Sequence, residues 1–305
     1  MRYHYYTADV FTDQPFGGNQ LAVFPDARGL STAQMQRVAA EFNYSESTFV
    51  LPPDDPRHTR RVRIFTVSEE MPFAGHPTVG TAHVLAAIGV IPLTGDLTRV
   101  IFEEGVGPVP VAIHAQDGKP VFAQLTAAKL PEFGPTMPSM EIIAGVLSID
   151  TSDIMTGVDF PQSASCGVPY LFVPLRNIDA VRRTRLNPSL WEQHFADQWA
   201  RWIYLFSYEV ERAGSFLHAR MFAPGSGITE DAATGSAASA LAGYLGLRDS
   251  RANATLRWRV EQGFEMGRPS ILEVEADKVA GALTAVRVGG ASVMMAEGWL
   301  EIPAD

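Results

Sequence analysis

The chain has 305 residues, enough for two domains or one large one, and its 46% hydrophobic share is that of an ordinary globular protein. Its 24 Lys and Arg stand against 34 Asp and Glu, and the net charge of −10 excludes the basic footprint of a nucleic-acid-binding protein. The single cysteine, Cys166, excludes an intrachain disulfide and a thiolate metal cluster, and fits a reducing compartment.

In chain order, Met1-Arg2-Tyr3-His4-Tyr5-Tyr6-Thr7 has no apolar signal core, and no run of about 18 apolar residues occurs. The expectation is a cytoplasmic protein with no membrane partner. Strand-like segments dominate: Leu21-Ala22-Val23-Phe24, Ser47 to Leu51, Val62 to Phe65, Trp202 to Phe206 and Leu272 to Glu275, each set off by Gly, Pro or Asp turns. Ser31-Thr32-Ala33-Gln34 is a capping box, and Met35, Val38, Ala39 and Phe42 behind it recur at helical spacing. Ser139 to Leu147 is a weaker helix. Asn187-Pro188 opens another, expected to reach about Ala200. The Pro-rich stretch around Pro131, Pro135 and Pro138 suggests a crossing between halves. The last strands, Val286 to Val288 and Ser292 to Met295, are expected to return to the first half. These features imply lobes over 1–128 plus about 289–305, and over 129–288.

One short phrase occurs twice. His76-Pro77-Thr78-Val79-Gly80-Thr81-Ala82 and Asp231-Ala232-Ala233-Thr234-Gly235-Ser236-Ala237 both end in Gly, then Thr or Ser, then Ala, and both run into small aliphatic residues. Registered on Gly80 and Gly235, His76 falls on Asp231. Upstream of each lies a similar strand, Arg63-Ile64-Phe65 and Arg220-Met221-Phe222. The helices that follow are too rich in alanine to have a polar face, so each is expected to be buried inside its own sheet. Two tight turns before helix N-termini offer backbone N–H groups to an anion, from Gly75, Gly80, Gly235 and Ser236, with an ionisable group beside each.

A lone histidine is more often structural, but the loop position of His76 before a helix points to a site, and the helix dipole there favours its neutral form. Asp231 reads either as an N-cap or, with Thr234 available to cap, as a carboxylate aimed into a cleft. Glu230 reads as a solvated neighbour. Glu46, in Ser45-Glu46-Ser47-Thr48, reads by itself as a surface carboxylate. The remaining histidines show no metal spacing, HExxH is absent, and so are the dinucleotide, P-loop and GxSxG patterns.

Taken together, several strings resemble the phenazine-biosynthesis isomerase family, the PhzF-like proteins. They are Asp9-Val10-Phe11-Thr12 through Gly17-Gly18-Asn19, Ser45-Glu46-Ser47-Thr48-Phe49-Val50, Glu70-Met71-Pro72-Phe73-Ala74-Gly75-His76-Pro77-Thr78, Glu230 to Ala237, and Gln262-Gly263 through Met266-Gly267-Arg268-Pro269-Ser270. Val288-Gly289-Gly290 and Gly298-Trp299-Leu300 extend the match, so it covers nearly the whole chain. The resemblance implies an α+β fold of the diaminopimelate epimerase type: two pseudo-symmetric lobes, each a barrel-like, mostly antiparallel sheet wrapped around a central helix, with the active site between them. It implies no metal, no organic cofactor and a homodimer.

The epimerases carry two cysteines at the lobe-facing turns; this chain carries His76 and Asp231 there, so a two-thiol mechanism does not transfer. The family's proton-transfer carboxylate matches Glu46, its assisting residues His76 and Asp231, and its substrate-binding positions Gly75, Gly235, Ser236 and Asn19. Its reaction is the isomerisation of trans-2,3-dihydro-3-hydroxyanthranilate by a hydrogen shift. The chain departs from the family at Gln20 and Ala232, where proline is usual. The implied activity is a proton-transfer isomerisation of a small carboxylate, with Glu46 desolvated so that its pKa rises from about 4.3. Two other readings fit the same residues: a cofactor-independent epimerase or racemase of an amino or hydroxy acid, and a non-catalytic small-molecule-binding protein of this fold.

Overall fold

The computed structural model describes residues 1–135 and 137–304. Contacts along the chain gather into two units, Met1–Ala128 with Val288–Asp305, and Lys129–Arg287. The first holds β1 (Arg2–Val10), β2 (Asn19–Phe24), α1 (Thr32–Phe42), β3 (Glu46–Leu51), β4 (Arg60–Phe65), β5 (Glu70–Met71), α2 (Gly75–Ala87), β6 (Leu97–Glu104), β7 (Gly107–Gln116) and β8 (Lys119–Thr126). The second holds β9 (Glu132–Phe133), α3 (Met140–Leu147), β10 (Gln162–Ser165), β11 (Pro169–Pro174), α4 (Ile178–Arg183), α5 (Pro188–His194), β12 (Trp202–Ser207), β13 (Leu217–Phe222), β14 (Glu230–Asp231), α6 (Gly235–Arg248), β15 (Ala254–Gln262) and β16 (Ser270–Val279). Strand β17 (Ala282–Gly290) carries the chain back, and β18 (Ser292–Glu301) pairs antiparallel with β1, Arg2 opposite Glu301 and Val10 opposite Ser292.

Local signals set the short helices. Ser31 Oγ accepts from the Gln34 N–H at 3.2 Å and Gln34 Oε1 accepts from the Ser31 N–H at 2.9 Å, so α1 begins on its capping box. It ends at Asn43, which takes the left-handed conformation with φ 53°. Its apolar face packs on Phe24, Phe49 and Phe65, which bury their rings completely; Phe24 stacks on Phe49 at a centroid distance of 5.0 Å, and Phe65 meets Phe49 edge-on at 5.5 Å. Each such ring contributes roughly 1.5–3 kcal/mol of burial energy. Helix α5 starts at Pro188 behind its Asn187 cap but stops at His194, short of Ala200. Phe195 leaves helical geometry with φ −122° and buries its ring in the core of the second unit.

Helices α2 and α6 are enclosed on every side. All residues from Gly75 to Ala86 and from Gly235 to Gly246 are buried. Helix α2 packs against β1, β2, β3, β7 and β8, and α6 against β10, β11 and β16. Small side chains make this possible: a Cβ on Gly80 would come within 2.5 Å of Val10 Cγ2 and 2.6 Å of Leu21 Cδ2. Gly80 lies inside α2, where its N–H is committed to the helical ladder. It therefore serves packing and leaves no N–H for an anion.

The two units repeat one internal plan, in a register that the sequence phrase misplaces. Strands β4 and β5 pair with Ile64 opposite Met71 and Phe65 opposite Glu70; β13 and β14 pair with Met221 opposite Asp231 and Phe222 opposite Glu230. In each unit three residues then lead to a helix beginning with glycine, Gly75 or Gly235. Gly75 therefore corresponds to Gly235, His76 to Ser236 and Met71 to Asp231, in place of the expected match of His76 with Asp231. The ion pairs repeat as well: Arg63 binds Glu70 at 2.7 and 2.6 Å, and Arg220 binds Glu230 at 2.8 and 2.8 Å. Glu230 is thus held by Arg220 and is no solvated neighbour.

A second shared device is a carboxylate clamp. Glu103 accepts the backbone N–H groups of Asp54 and Asp55, both at 2.7 Å, and lies 2.7 Å from His58 Nδ1. Glu261 accepts those of Glu211 and Arg212 at 2.6 and 3.0 Å and lies 2.8 Å from His218 Nδ1. In the second unit the clamp is extended, because His218 Nε2 also meets Glu265 at 2.8 Å. Burial opposes charging of His218, but the bonds to Glu261 and Glu265 outweigh it and push its pKa up to about 9. A pKa raised above its ordinary 6.5 adds stability that is complete below pH 6.5 and is lost as pH rises through about 9. Urea unfolding of the wild type and His218→Gln across that window should show the wild-type advantage shrinking with pH. An advantage that grows with pH would contradict the charged clamp.

Candidate active site

In the first unit the site is built where β2, β3 and α2 begin. Gly18 precedes β2 with φ 62°, and a Cβ there would lie 2.3 Å from the Val10 carbonyl oxygen, so only glycine delivers the chain into Asn19. Strands β2 and β3 run parallel with Leu21 opposite Glu46, which sets Asn19 and Glu46 at the same edge. His76 is the second residue of α2 and is 2% exposed. Its Nδ1 lies 3.1 Å from Asn19 Nδ2, and its Nε2 lies 3.5 Å from Glu46 Oε2. Asn19 is also buried, whereas the Glu46 side chain keeps 16% of its surface.

The electrostatics follow from this burial. Desolvation drives the His76 pKa down to about 3, against a smaller upward effect of a hydrogen bond with the Gln20 backbone. The ring is therefore neutral at any ordinary pH, and burial, more than the helix dipole, is the cause. An amide nitrogen can only donate, so the Asn19 contact favours a ring that accepts at Nδ1 and carries its proton on Nε2, the nitrogen nearer Glu46. Gly75 opens α2, and the first N–H groups of a helix lack partners in its own ladder.

In the second unit Asp231 ends β14, with three residues between it and α6, and is 4% exposed. Thr234 occupies the N-cap position but makes no cap bond; its hydroxyl donates to Asp231 Oδ2 at 2.6 Å. Gln262 closes the turn. Its amide donates to the Asp231 carbonyl at 2.8 Å and to Thr234 Oγ1 at 3.0 Å, and its oxygen accepts from the Thr234 N–H at 3.2 Å. Gly263 follows with φ 81°, where a Cβ would lie 2.5 Å from the Ala232 carbonyl oxygen. Ser236 Oγ is 2.7 Å from the Tyr170 hydroxyl. The Tyr204 hydroxyl is buried without a hydrogen-bond partner among the described residues, and burial followed by the charge of Asp231 raises its pKa.

The structure thus groups Glu46, His76, Asn19 and Gly75 in one unit, and Asp231, Gly235 and Ser236 in the other. Sequence reasoning did not single out Thr234 as a partner of Asp231, nor Gln262, Tyr170 or Tyr204 as neighbours of the candidate residues Asp231 and Ser236. One signal was present: a strand ending in Glu104-Gly105 and another in Gln262-Gly263 mark the same place in the two halves. Among the described residues no group of three or more His, Cys, Asp or Glu is arranged to hold a metal ion, and no helix is long and apolar enough to cross a membrane. Burial pushes the Cys166 thiol up to about 12, so it offers no thiolate.

Resolved by ¹⁵N NMR, the His76 imidazole nitrogens will show protonated Nε2 and unprotonated Nδ1, and the ring itself will gain no second proton until the pH approaches 3. An inflection near the ordinary 6.5 would refute the buried neutral ring.

Residues 8–298 match the family model described as phenazine biosynthesis-like protein. An uncharacterized isomerase of Mesorhizobium japonicum is 41% identical, covering 98% of this chain and 99% of its own. The trans-2,3-dihydro-3-hydroxyanthranilate isomerase of Pseudomonas aeruginosa is 35% identical, covering 97% and 98%. The crystal structure of the Bacillus anthracis phenazine biosynthesis protein of the PhzF family matches with TM-score 0.87 over 99% of this chain and 100% of that one; at 24% identity it speaks for the fold alone. The chain belongs to the phenazine biosynthesis-like family and is an isomerase.

Proposed function

We propose that this isomerase moves a proton between two carbons of a small carboxylate, trans-2,3-dihydro-3-hydroxyanthranilate or a close chemical relative, with Glu46 as the acid/base group. The supporting observation is the chain from Asn19 to His76 to Glu46, with contacts of 3.1 and 3.5 Å around a ring held neutral. A base that must return its proton needs a partner that orients it without taking the proton away. His76 fits, because an imidazole whose pKa is about 3 does not keep a proton that a carboxylate has gained. Its Nε2–H steadies the Glu46 carboxylate before the transfer. Contacts slightly beyond hydrogen-bond length are common in unliganded acid/base sites and shorten when substrate binds.

In the proposed step Glu46 takes the proton from the substrate carbon, the electron pair spreads through the adjacent unsaturated system, and the same proton returns from Glu46 to another carbon of that system. Asp231, oriented by Thr234, holds the substrate's amino or hydroxyl group. The helix starts at Gly75, Gly235 and Ser236 bind the carboxylate or the oxygen on which negative charge develops.

Turnover of trans-2,3-dihydro-3-hydroxyanthranilate in heavy water tests the reading. A hydrogen shift appears as hydrogen at a new carbon, whereas exchange confined to the carbon bearing the carboxylate would mark an epimerase. Glu46→Gln is expected to lower kcat by about 10²–10⁴-fold. Near-normal turnover by that variant would remove Glu46 from the step.

A further inference from the structure

The repeated plan places Glu104 and Gln262 at one structural position. On β4 and β6, which run parallel, Arg60 is opposite Phe102 and Arg61 opposite Glu103; on β13 and β15, also parallel, Leu217 is opposite Val260, His218 opposite Glu261 and Ala219 opposite Gln262. Counted from the pairing with β5 and β14, Arg61 and His218 correspond, so Glu103 corresponds to Glu261 and Glu104 to Gln262. The glycines that follow confirm it. A Cβ on Gly105 would lie 2.8 Å from Pro72 Cα and one on Gly263 2.5 Å from the Ala232 oxygen, and Pro72 and Ala232 are the first residues after β5 and β14.

Gln262 ties down the link between β14 and α6 through its amide, as described above. Glu104 has an analogous task with a carboxyl group. Its Oε1 is 2.6 Å from Thr78 Oγ1, and Thr78 Oγ1 is 2.7 Å from the carbonyl oxygen of Ala74, the residue before Gly75 and His76. A hydroxyl has one proton. If Thr78 gives it to Ala74, the contact with Glu104 needs a second proton, and only the carboxyl group can supply it. An ionised Glu104 would claim the Thr78 proton and set the hydroxyl's lone pairs against the Ala74 carbonyl.

The surroundings agree. Glu104 is 8% exposed, and its Oε2 has no hydrogen-bond partner among the described residues. Burial pushes its pKa up to about 8, opposed in part by the Thr78 bond. The charged groups of the adjacent cavity are committed to one another: Asp54 to Arg61, Asp55 to Arg57, His58 to Glu103 and Arg63 to Glu70. On α2 both His76 and His83 are held neutral by burial. The positive end of α2 favours an anion, but Pro77 removes one of its N–H groups.

We propose that Glu104 is a positioning residue: as a neutral carboxylic acid it does for the turn carrying His76 what the Gln262 amide does for the turn carrying Asp231. The proposal rests on the reading of His76 as part of the site, but its test needs no substrate. A carboxyl pKa raised from 4.5 to about 8 favours folding fully below pH 4.5 and progressively less up to about pH 8. Glu104→Gln, which cannot ionise, should therefore gain thermal midpoint relative to the wild type across that window, with a constant difference above it. His218 titrates in both proteins and cancels. The ¹⁵N shifts of His76 should show an inflection near pH 8 in the wild type that is missing in Glu104→Gln. The wild type should also show a carboxylic-acid carbonyl band in the infrared at neutral pH that bleaches with the same midpoint, a measurement that stands even if the variant does not fold. A wild type with no acid band and no His76 inflection, or a midpoint difference moving the other way with pH, would overturn the proposal. So would Glu104→Gln perturbing His76 as much as Glu104→Ala does. Failure of the isomerase assay leaves all of these readouts intact.

Discussion

The structure depends on two helices that have no face suited to water. With small and aliphatic residues on all sides, α2 and α6 gain little from exposure, and each is stable only when strands close around it. That enclosure buries the helix starts, where unpaired N–H groups and a partial positive charge concentrate. A buried helix start that must remain accessible to a substrate is a ready site for an anion. The proposed chemistry uses those two points, Gly75 and Gly235, where packing leaves polar backbone groups at a helix start.

Burial also decides charge. His76 stays neutral because the enclosure of α2 removes the water that an imidazolium needs, and the Asn19 amide beside Nδ1 favours a proton on Nε2. His218 has the opposite fate in equally dry surroundings, because two carboxylates face it. The contrast shows that the partners of a buried histidine, and not its depth alone, set its protonation. The side chains beside Glu46 and Asp231, namely His76, Thr234 and Gln262, are neutral.

Much of this was legible in the chain. The Ser31 capping box, the alanine-rich helices and the strand segments depend on local pattern, and local pattern survives folding. Glu46 read as a surface carboxylate on spacing alone; only family resemblance joined it to His76, because their proximity arises from the parallel pairing of β2 with β3 and the placement of α2, thirty residues apart in sequence. The repeat was visible but misregistered. Gly-Thr-Ala and Gly-Ser-Ala look alike, yet Gly80 serves packing inside a helix while Gly235 begins one. Strand pairing and the ion pairs Arg63–Glu70 and Arg220–Glu230 give the true register. Likewise the hydroxyl of Thr234 was open to two uses, capping or binding Asp231, and only the position of Gln262 decides between them.

In the proposed function Glu46 and Asp231 serve a single proton-transfer reaction. The most direct measurement is a double-mutant cycle on kcat/KM for trans-2,3-dihydro-3-hydroxyanthranilate with Glu46→Gln, Asp231→Asn and the pair. Residues that serve one step are strongly non-additive, so the double variant should be about as slow as the slower single variant. Losses that simply multiply would show that the two carboxylates act independently and would contradict the account.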